Sequence, residues 1–308
     1  MKIVTLTLNP AFDVHCSCEN FKPYHESIAK VTAKDAGGKG VNISRALQVN
    51  GTENLAIVIV GEENGVEFCQ ALEKDGLSVS TVWVKGRIRE NITLHETENP
   101  ETRISFEGFS CDSGILQEIK DRIGEVNGQT IITFTGSIPK GIEVSEVLAF
   151  LGEYRDQGAK VVIDSRSVSL GELLAFKPWL IKPNKDEAEA YASRKIESES
   201  DAVMIARDIY EKGIDNVIVS LGGDGAVFAY KRGVMVAKAP DVPVCSTIGA
   251  GDSMIAGFID GTSKGFTKEK VLKRAVAFGT AACMQEGTNP PMPKDVEELT
   301  KQVFVKSI

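Results

Sequence analysis

Six short apolar runs, at residues 3–8, 55–60, 130–134, 160–163, 179–182 and 216–220, alternate with stretches of helical periodicity. This alternation restricts the fold more than any other feature. Most of the runs are rich in Val and Ile, as strands covered on both faces should be. Helical patterns occupy residues 41–49, 66–74, 144–154, 187–192 and 202–212. Strand–helix–strand repetition of this kind favours parallel crossovers. The expected fold class is therefore α/β, with three layers (α/β/α) around a mostly parallel central sheet. A hairpin-like pair at 226–230 and 234–237 and apolar helices at 253–259 and 271–284 complete the C-terminal third.

Two stretches break the rhythm. Residues 12–32 and 89–106 read as short strands with polar alternation, as in Ile92-Thr93-Leu94-His95. They are expected to pair into a small β-sheet lid built from segments of about 12–34 and 88–108. No repeat, low-complexity segment or linker interrupts the chain, so 1–308 is read as one domain carrying that lid.

With 308 residues, 42% hydrophobic and 25% charged, the chain has the composition of an ordinary globular protein with a sizeable core. A net charge of −8 argues against nucleic acid as a partner, because that affinity rests on basic surface. An anionic substrate would require Lys or Arg concentrated at the site. No apolar run approaches the roughly 20 residues of a membrane span. The first eight residues read as a strand, not a cleavable leader, so a cytoplasmic protein with no membrane partner is expected. The six cysteines form no paired zinc pattern, and the three histidines include no helical pair. Free, mostly buried thiols are expected.

The most informative local motif is Thr247-Ile248-Gly249-Ala250-Gly251-Asp252, just before the apolar helix. Glycines allow close backbone approach, and a helix start offers unpaired N–H groups and a partial positive charge suited to a phosphate. An aspartate repels phosphate, but it has a use there if it takes a proton beside a phosphoryl group in transfer. A turn capped by Asp is the alternative. A second glycine-rich helix start, Gly37-Gly38-Lys39-Gly40-Val41-Asn42, adds a charge at Lys39 and an amide at Asn42. Neither stretch is a Walker A loop, since Gly40 follows the lysine, nor a dinucleotide fingerprint, whose third glycine is here Met254.

Other segments follow apolar strands, where ligands bind in open α/β sheets. Asn9-Pro10-Ala11-Phe12-Asp13 ends the first strand, and Thr135-Gly136-Ser137 ends another, with Ser137 able to hydrogen-bond a ligand. In Lys182-Pro183-Asn184-Lys185-Asp186-Glu187, Asn184 and Glu187 have the spacing of a capping box. The same pair could order water around a magnesium ion. Ser220-Leu221-Gly222-Gly223-Asp224-Gly225 permits close contact to a nucleotide, or forms a hairpin turn. Arg89 and Arg103 in the lid strands are cations that could close over a phosphate, or simply solubilise an edge.

Together these residues resemble the ribokinase-like, phosphofructokinase-B carbohydrate kinases, from Lys2 to the C-terminal helices. The paired stretches Gly37 to Asn42 and Ser246 to Ser253 carry the resemblance. The lysine of Gly-Gly-Lys-Gly is similar to the branch acting on sugar phosphates, the 1-phosphofructokinases and tagatose-6-phosphate kinases. The resemblance implies a ribokinase-like fold, ATP and Mg²⁺ as cofactors, and a homodimer clasped through the lid; it leaves a monovalent-cation requirement open. It implies Asp252 as catalytic base and the Gly249, Ala250 and Gly251 amides as anion hole. Asp13, Gly38 and Asn42 would hold sugar hydroxyls, and Lys39 and Arg89 the substrate phosphate, with Arg103 and Ser137 nearby. Lys182, Ser220, Gly222, Gly225 and Thr247 would line the ATP site, and Asn184 and Glu187 would organise magnesium water. The acceptor implied first is fructose 1-phosphate, with tagatose 6-phosphate and fructose 6-phosphate as alternatives. A non-catalytic sugar-phosphate or nucleotide sensor is the rival of another class, but binding alone would not require the Asp252 carboxylate. A nicotinamide oxidoreductase would need the missing third glycine.

Overall fold

The structure, a computed structural model, describes residues 1–19, 21–22, 24–96 and 102–308. Residues 20, 23 and 97–101 of the expected lid segments lie outside the described residues. In chain order the first half comprises β1 (Lys2–Thr7), β2 (Ala11–Cys18), β3 (Lys30–Gly37), α1 (Lys39–Val49), β4 (Leu55–Gly61), α2 (Gly65–Lys74), β5 (Val79–Val84), β6 (Arg89–Glu96), β7 (Thr102–Ser105), α3 (Ile115–Ile123) and β8 (Thr130–Thr135). The second comprises α4 (Val144–Asp156), β9 (Lys160–Asp164), α5 (Leu170–Phe176), β10 (Leu180–Ile181), α6 (Lys185–Ala192), α7 (Glu199–Glu211), β11 (Asn216–Ser220), β12 (Ala226–Tyr230), β13 (Gly233–Lys238), α8 (Ala250–Ser263), α9 (Lys268–Cys283), α10 (Pro293–Gln302) and β14 (Phe304–Ser307).

Ten strands form the main sheet in the order β14-β13-β12-β11-β10-β9-β8-β1-β4-β5. From β11 to β5 every pairing is parallel; β12, β13 and β14 add an antiparallel edge. Successive side chains leave a strand on opposite faces, and the core divides accordingly. Val4, Ile132, Val161 and Val217 join one apolar cluster with α2, α4 and α7, whereas their neighbours Ile3, Ile131, Val162 and Ile218 join another with α1, α8 and α9. The sheet is thus covered by helices on both sides, as the alternation predicts.

The second sheet has the order β3-β2-β6-β7 and occupies the two expected stretches. It is tied to the main body by Phe12, edge-on to Phe68 of α2 at 5.2 Å, and by a 2.7 Å ion pair between Lys34 and Glu67. The hairpin β12–β13 also forms as read. Helices α3, α5 and α10 and the strands β5 and β14 come from segments not read as regular structure in the sequence. All six cysteines are free; Cys16 and Cys18 are buried, but Cys69, Cys111 and Cys283 are half-buried and Cys245 is exposed.

The packing of α8 matters most for the site. Phe258 is fully buried, edge-on to Trp179 at 5.6 Å and Phe228 at 5.4 Å. Its truncation to Ala would cost about 3–5 kcal/mol by analogy with other buried aromatics. Asp260, also fully buried, accepts from Thr52 Oγ1 and pairs with Lys264 and Arg274, fixing α8 to the loop before β4 and to α9. A Cβ on Gly257 would lie 2.7 Å from the Arg274 carbonyl oxygen, so only glycine lets α8 and α9 approach this closely.

Candidate active site

The parallel strands end on one edge of the sheet, and most of the polar motifs sit there. Asn9 follows β1, Ser137 follows β8, Asp164 ends β9, Lys182 follows β10 and Ser220 ends β11. Asn9 Nδ2 donates to Ser137 Oγ at 3.0 Å. Asp13 lies past the end of β1, in the segment expected to build the small sheet. Pro10 lies in the break that ends β1, the chain starts a new strand, and β2 carries Asp13 on the small sheet.

Asp252 lies in the first turn of α8, 6% exposed. The helix starts at Gly249, whose φ of 77° is a left-handed conformation open to glycine, and which has no side chain to cap the turn. The first N–H groups of such a helix have no intrahelical partner, and the dipole adds positive potential. Gly249, Ala250 and Gly251 therefore form an anion-attracting turn with a carboxylate directly behind it. Asn42, on α1, donates its Nδ2 to Asp252 Oδ2 at 3.0 Å. That contact joins the two glycine-rich motifs across the core.

Two lysines and an aspartate surround this carboxylate. Lys39 Nζ donates to Asp164 Oδ2 at 2.8 Å, and Lys182 Nζ lies 3.9 Å from Asp164 Oδ1. Lys182 is buried, and a Cβ on Gly251 would lie 3.0 Å from its ammonium, so the lysine rests against the anion-attracting turn. Burial pushes the Asp252 carboxyl up to about 6, against the pull of Lys39, the Asn42 amide and Lys182. Burial likewise works against the charge on Asp164, but Lys182 and Lys39 outweigh it and hold that carboxyl below the usual range. For Lys39, burial is outweighed by Asp164 and Asp252, and its ammonium is raised. The two buried carboxylates are thus driven in opposite directions. That is the separation expected where one group exchanges a proton near neutral pH and the other stays a fixed charge. Asp164 was not singled out in the sequence.

Gly38, with φ 127°, precedes α1, and a Cβ there would lie 2.7 Å from Thr7 Cγ2. Arg89 begins β6, half-buried, with donors to the carbonyls of Asn9 at 3.4 Å and Phe106 at 3.3 Å. Burial lowers its guanidinium, opposed by Asp13, and it stays protonated at any working pH. Arg103 is exposed on β7, opposite Thr93; none of its contacts joins it to Asp13 or Asp252 among the described residues.

Beside the α8 turn, on the side of β11 and β12, is a cavity of about 690 Å³, within the range of small-molecule sites. Asn184, Ser220, Gly222, Gly225 and Thr247 line it together with Ala250 and Gly251. Three segments far apart in sequence, at 184, 220–225 and 247, thus meet at one cavity; Lys182, expected with them at the ATP site, is not part of its lining. The apolar part of the lining, Val242, Val244, Met254, Val276 and Cys283, was missed by sequence reading. The segment Ala239-Pro240-Asp241-Val242-Pro243-Val244, extended by two prolines, is the signal that could have found it.

Asn184 and Glu187 form the capping box of α6: Glu187 N–H donates to Asn184 Oδ1 at 2.8 Å, and Asn184 N–H to Glu187 Oε2 at 3.0 Å. Glu187 Oε1 is outside the cap and lies 3.4 Å from Arg166 Nε. Mg²⁺ takes oxygen ligands and keeps several waters. This donor set, one carboxylate oxygen beside Asp164, fits such an ion through water; no group of three or more acidic, Cys or His side chains for direct ligation occurs among the described residues.

The sequence matches the pfkB family carbohydrate kinases over residues 10–295. The 1-phosphofructokinase of Escherichia coli strain K12 is 31% identical over 285 residues, spanning 92% of this chain and 91% of its own. That of Vibrio cholerae serotype O1 is 29% identical over 308 residues, 100% of this chain and 97% of its own. Phosphofructokinase-2 from Escherichia coli, solved in complex with substrates and products, is similar with a TM-score of 0.91 and 26% identity over 98% of this chain and 99% of that one. Both glycine-rich helix starts lie inside the matched span, and the chain belongs to the pfkB family of carbohydrate kinases.

Proposed function

We propose that this sugar kinase transfers the terminal phosphoryl group of ATP to a hydroxyl of fructose 1-phosphate, giving fructose 1,6-bisphosphate. The observation that carries the reading is Asp252: a buried carboxylate, raised to about 6, behind the amides of an uncapped helix start and beside a nucleotide-sized cavity. The names of the 1-phosphofructokinase relatives support the acceptor. The likeness to phosphofructokinase-2, also solved with fructose-6-phosphate, favours that sugar as the second reading.

In the proposed reaction the acceptor hydroxyl attacks the terminal phosphorus while Asp252 takes its proton, and the bond to the ADP oxygen breaks. The amides of Gly249, Ala250 and Gly251 stabilise the charge on the phosphoryl oxygens. Asp13, Gly38 and Asn42 hold sugar hydroxyls, with Ser137 at the edge of that pocket. Arg89 meets the substrate phosphate, as does Lys39 through the donors it does not give to Asp164. Arg103 approaches from the outer strand when the small sheet closes as a lid. Lys182, Ser220, Gly222, Gly225 and Thr247 hold the nucleotide. Asn184 and Glu187 would retain, through water, the Mg²⁺ that neutralises donor phosphate charge. We read the assembly as a homodimer through the small sheet, where Val31 and Ile104 are exposed.

An ADP-release assay with fructose 1-phosphate, tagatose 6-phosphate and fructose 6-phosphate tests the reading; the highest kcat/KM is expected for the first. ADP release that no sugar phosphate stimulates would overturn it. Arg89→Ala is expected to raise the KM for fructose 1-phosphate by roughly tenfold or more, as for loss of a charged hydrogen bond, with the ATP KM nearly unchanged. Because the base must be ionised, kcat is expected to hold a plateau above pH about 6 and to fall tenfold per pH unit below it. A flat profile between pH 5 and 8 would remove Asp252 as the titrating group.

A further inference from the structure

The small sheet brings a residue to the site that the proposed mechanism does not use. Strands β2 and β6 run parallel with Asp13 opposite Asn91. Alternation along β6 puts Asn91 on the same face as Arg89. Asn91 Nδ2 donates to Asp13 Oδ1 at 3.0 Å. An ionised carboxylate only accepts, so the amide nitrogen must face Asp13 and the carbonyl oxygen must face away. That oxygen, Asn91 Oδ1, is buried and has no hydrogen-bond partner. On its other side Asp13 is pressed against the backbone, since a Cβ on Gly37 would lie 2.2 Å from Asp13 Oδ2.

Asn42 repeats the device. Its amide nitrogen is bound to Asp252 and its Oδ1 is buried without a partner. Asn9 Oδ1 is a third such oxygen. A buried acceptor without a donor is unfavourable, and three of them, after β1, in the first turn of α1 and on the small sheet, await O–H groups. A ligand rich in hydroxyls supplies these; an apolar or purely anionic one does not.

We propose that Asn91 is a positioning residue for the acceptor. It holds Asp13 in the orientation that receives one sugar hydroxyl, and its carbonyl oxygen receives a second. The inference deepens the kinase reading and rests on it.

The test is a double-mutant cycle on the full-length chain with fructose 1-phosphate as probe. Asn91→Leu keeps the side-chain shape and removes both polar atoms. It is expected to raise the sugar-phosphate KM by roughly tenfold or more, with kcat reduced less and the ATP KM within about twofold. In an Asp13→Asn background the same change is expected to cost about threefold, the share of the hydroxyl that Asn91 itself receives, because the carboxylate it orients is gone. An unchanged sugar-phosphate KM, or equal costs in both backgrounds, overturns the inference. A purely structural role would move the ATP KM along with that of the sugar, and this too overturns it. Should Asn91→Leu fail to fold, Asn91→Asp, which replaces the donor with an acceptor, decides by the same criteria. A wild-type chain that leaves all three hexose phosphates unphosphorylated overturns the proposed function and the inference together. An active wild type with an indifferent Asn91 variant overturns the inference alone.

Discussion

Asp252→Asn is expected to lower kcat by about 10² or more, the usual contribution of a positioned base, while the KM values for ATP and sugar phosphate change little. The amide has the shape of the carboxylate and still accepts from Asn42, so the pocket is retained and only the proton acceptor is lost. The same substitution is expected to raise, not lower, the thermal midpoint at pH 8. The Asp252 carboxyl sits at about 6 in the folded chain against 3.8 as an ordinary aspartate. Its favourable neutral form is available below the lower value, and that contribution disappears as pH rises through the folded value. Above pH about 6 the ionised group therefore costs stability, on the order of 1–3 kcal/mol by linkage. A neutral amide escapes the penalty. A variant with near-normal turnover would end the assignment of Asp252 as base. One that is inactive and less stable at pH 8 would instead point to an ordinary helix-capping carboxylate.

Sequence and structure agree where a motif is complete within a few residues. The start of α8 was legible because Gly249, Ala250, Gly251 and Asp252 are adjacent and an apolar helix follows. The central strands were legible because burial on both faces forces continuous Val and Ile. Among the described residues β5 pairs only with β4, and β14 only with β13; at these edges one side is open, and Val79-Ser80-Thr81-Val82 shows the resulting polar alternation. Helix α10 buries just Val296 and Leu299 within a charged stretch, too little apolar pattern to register against its surroundings. Asp164 illustrates the deeper limit. In sequence it is the last residue of a Val-Val-Ile-Asp strand, and its chemistry comes from Lys39, 125 residues away, and from Lys182 on the next strand. Asn91 is similar, since its meaning depends on the parallel register of β2 and β6. Residues acquire such roles when topology brings strand ends together, and one-dimensional spacing carries no trace of it.

Lys39→Met is the second large effect, and it separates two functions of one side chain. Met retains most of the aliphatic stem, so packing at the start of α1 changes little. Loss of the ammonium removes a charge proposed to meet the substrate phosphate, and KM for the sugar phosphate is expected to rise by roughly 10–100-fold, as for a charged contact in a partly buried site. It also removes the largest influence holding the Asp252 carboxyl down. The acid limb of the kcat profile is therefore expected to move above pH 6, so the variant should be more impaired at pH 6.5 than at pH 8.5. Asp164 would keep Lys182, at 3.9 Å, and the weaker pull of Arg166, leaving a buried carboxylate less fully paired. A lower thermal midpoint follows, with the loss smaller at acid pH, where Asp164 can protonate. Lys39→Arg tests the geometry: it restores charge, so the acid limb should return toward pH 6. A planar fork does not reproduce the placement of an ammonium against Asp164, and the KM should stay elevated. If Lys39→Met changes KM and leaves the pH profile in place, Lys39 acts on substrate alone. If it moves the profile and leaves KM untouched, Lys39 serves the base and the substrate phosphate is held by Arg89.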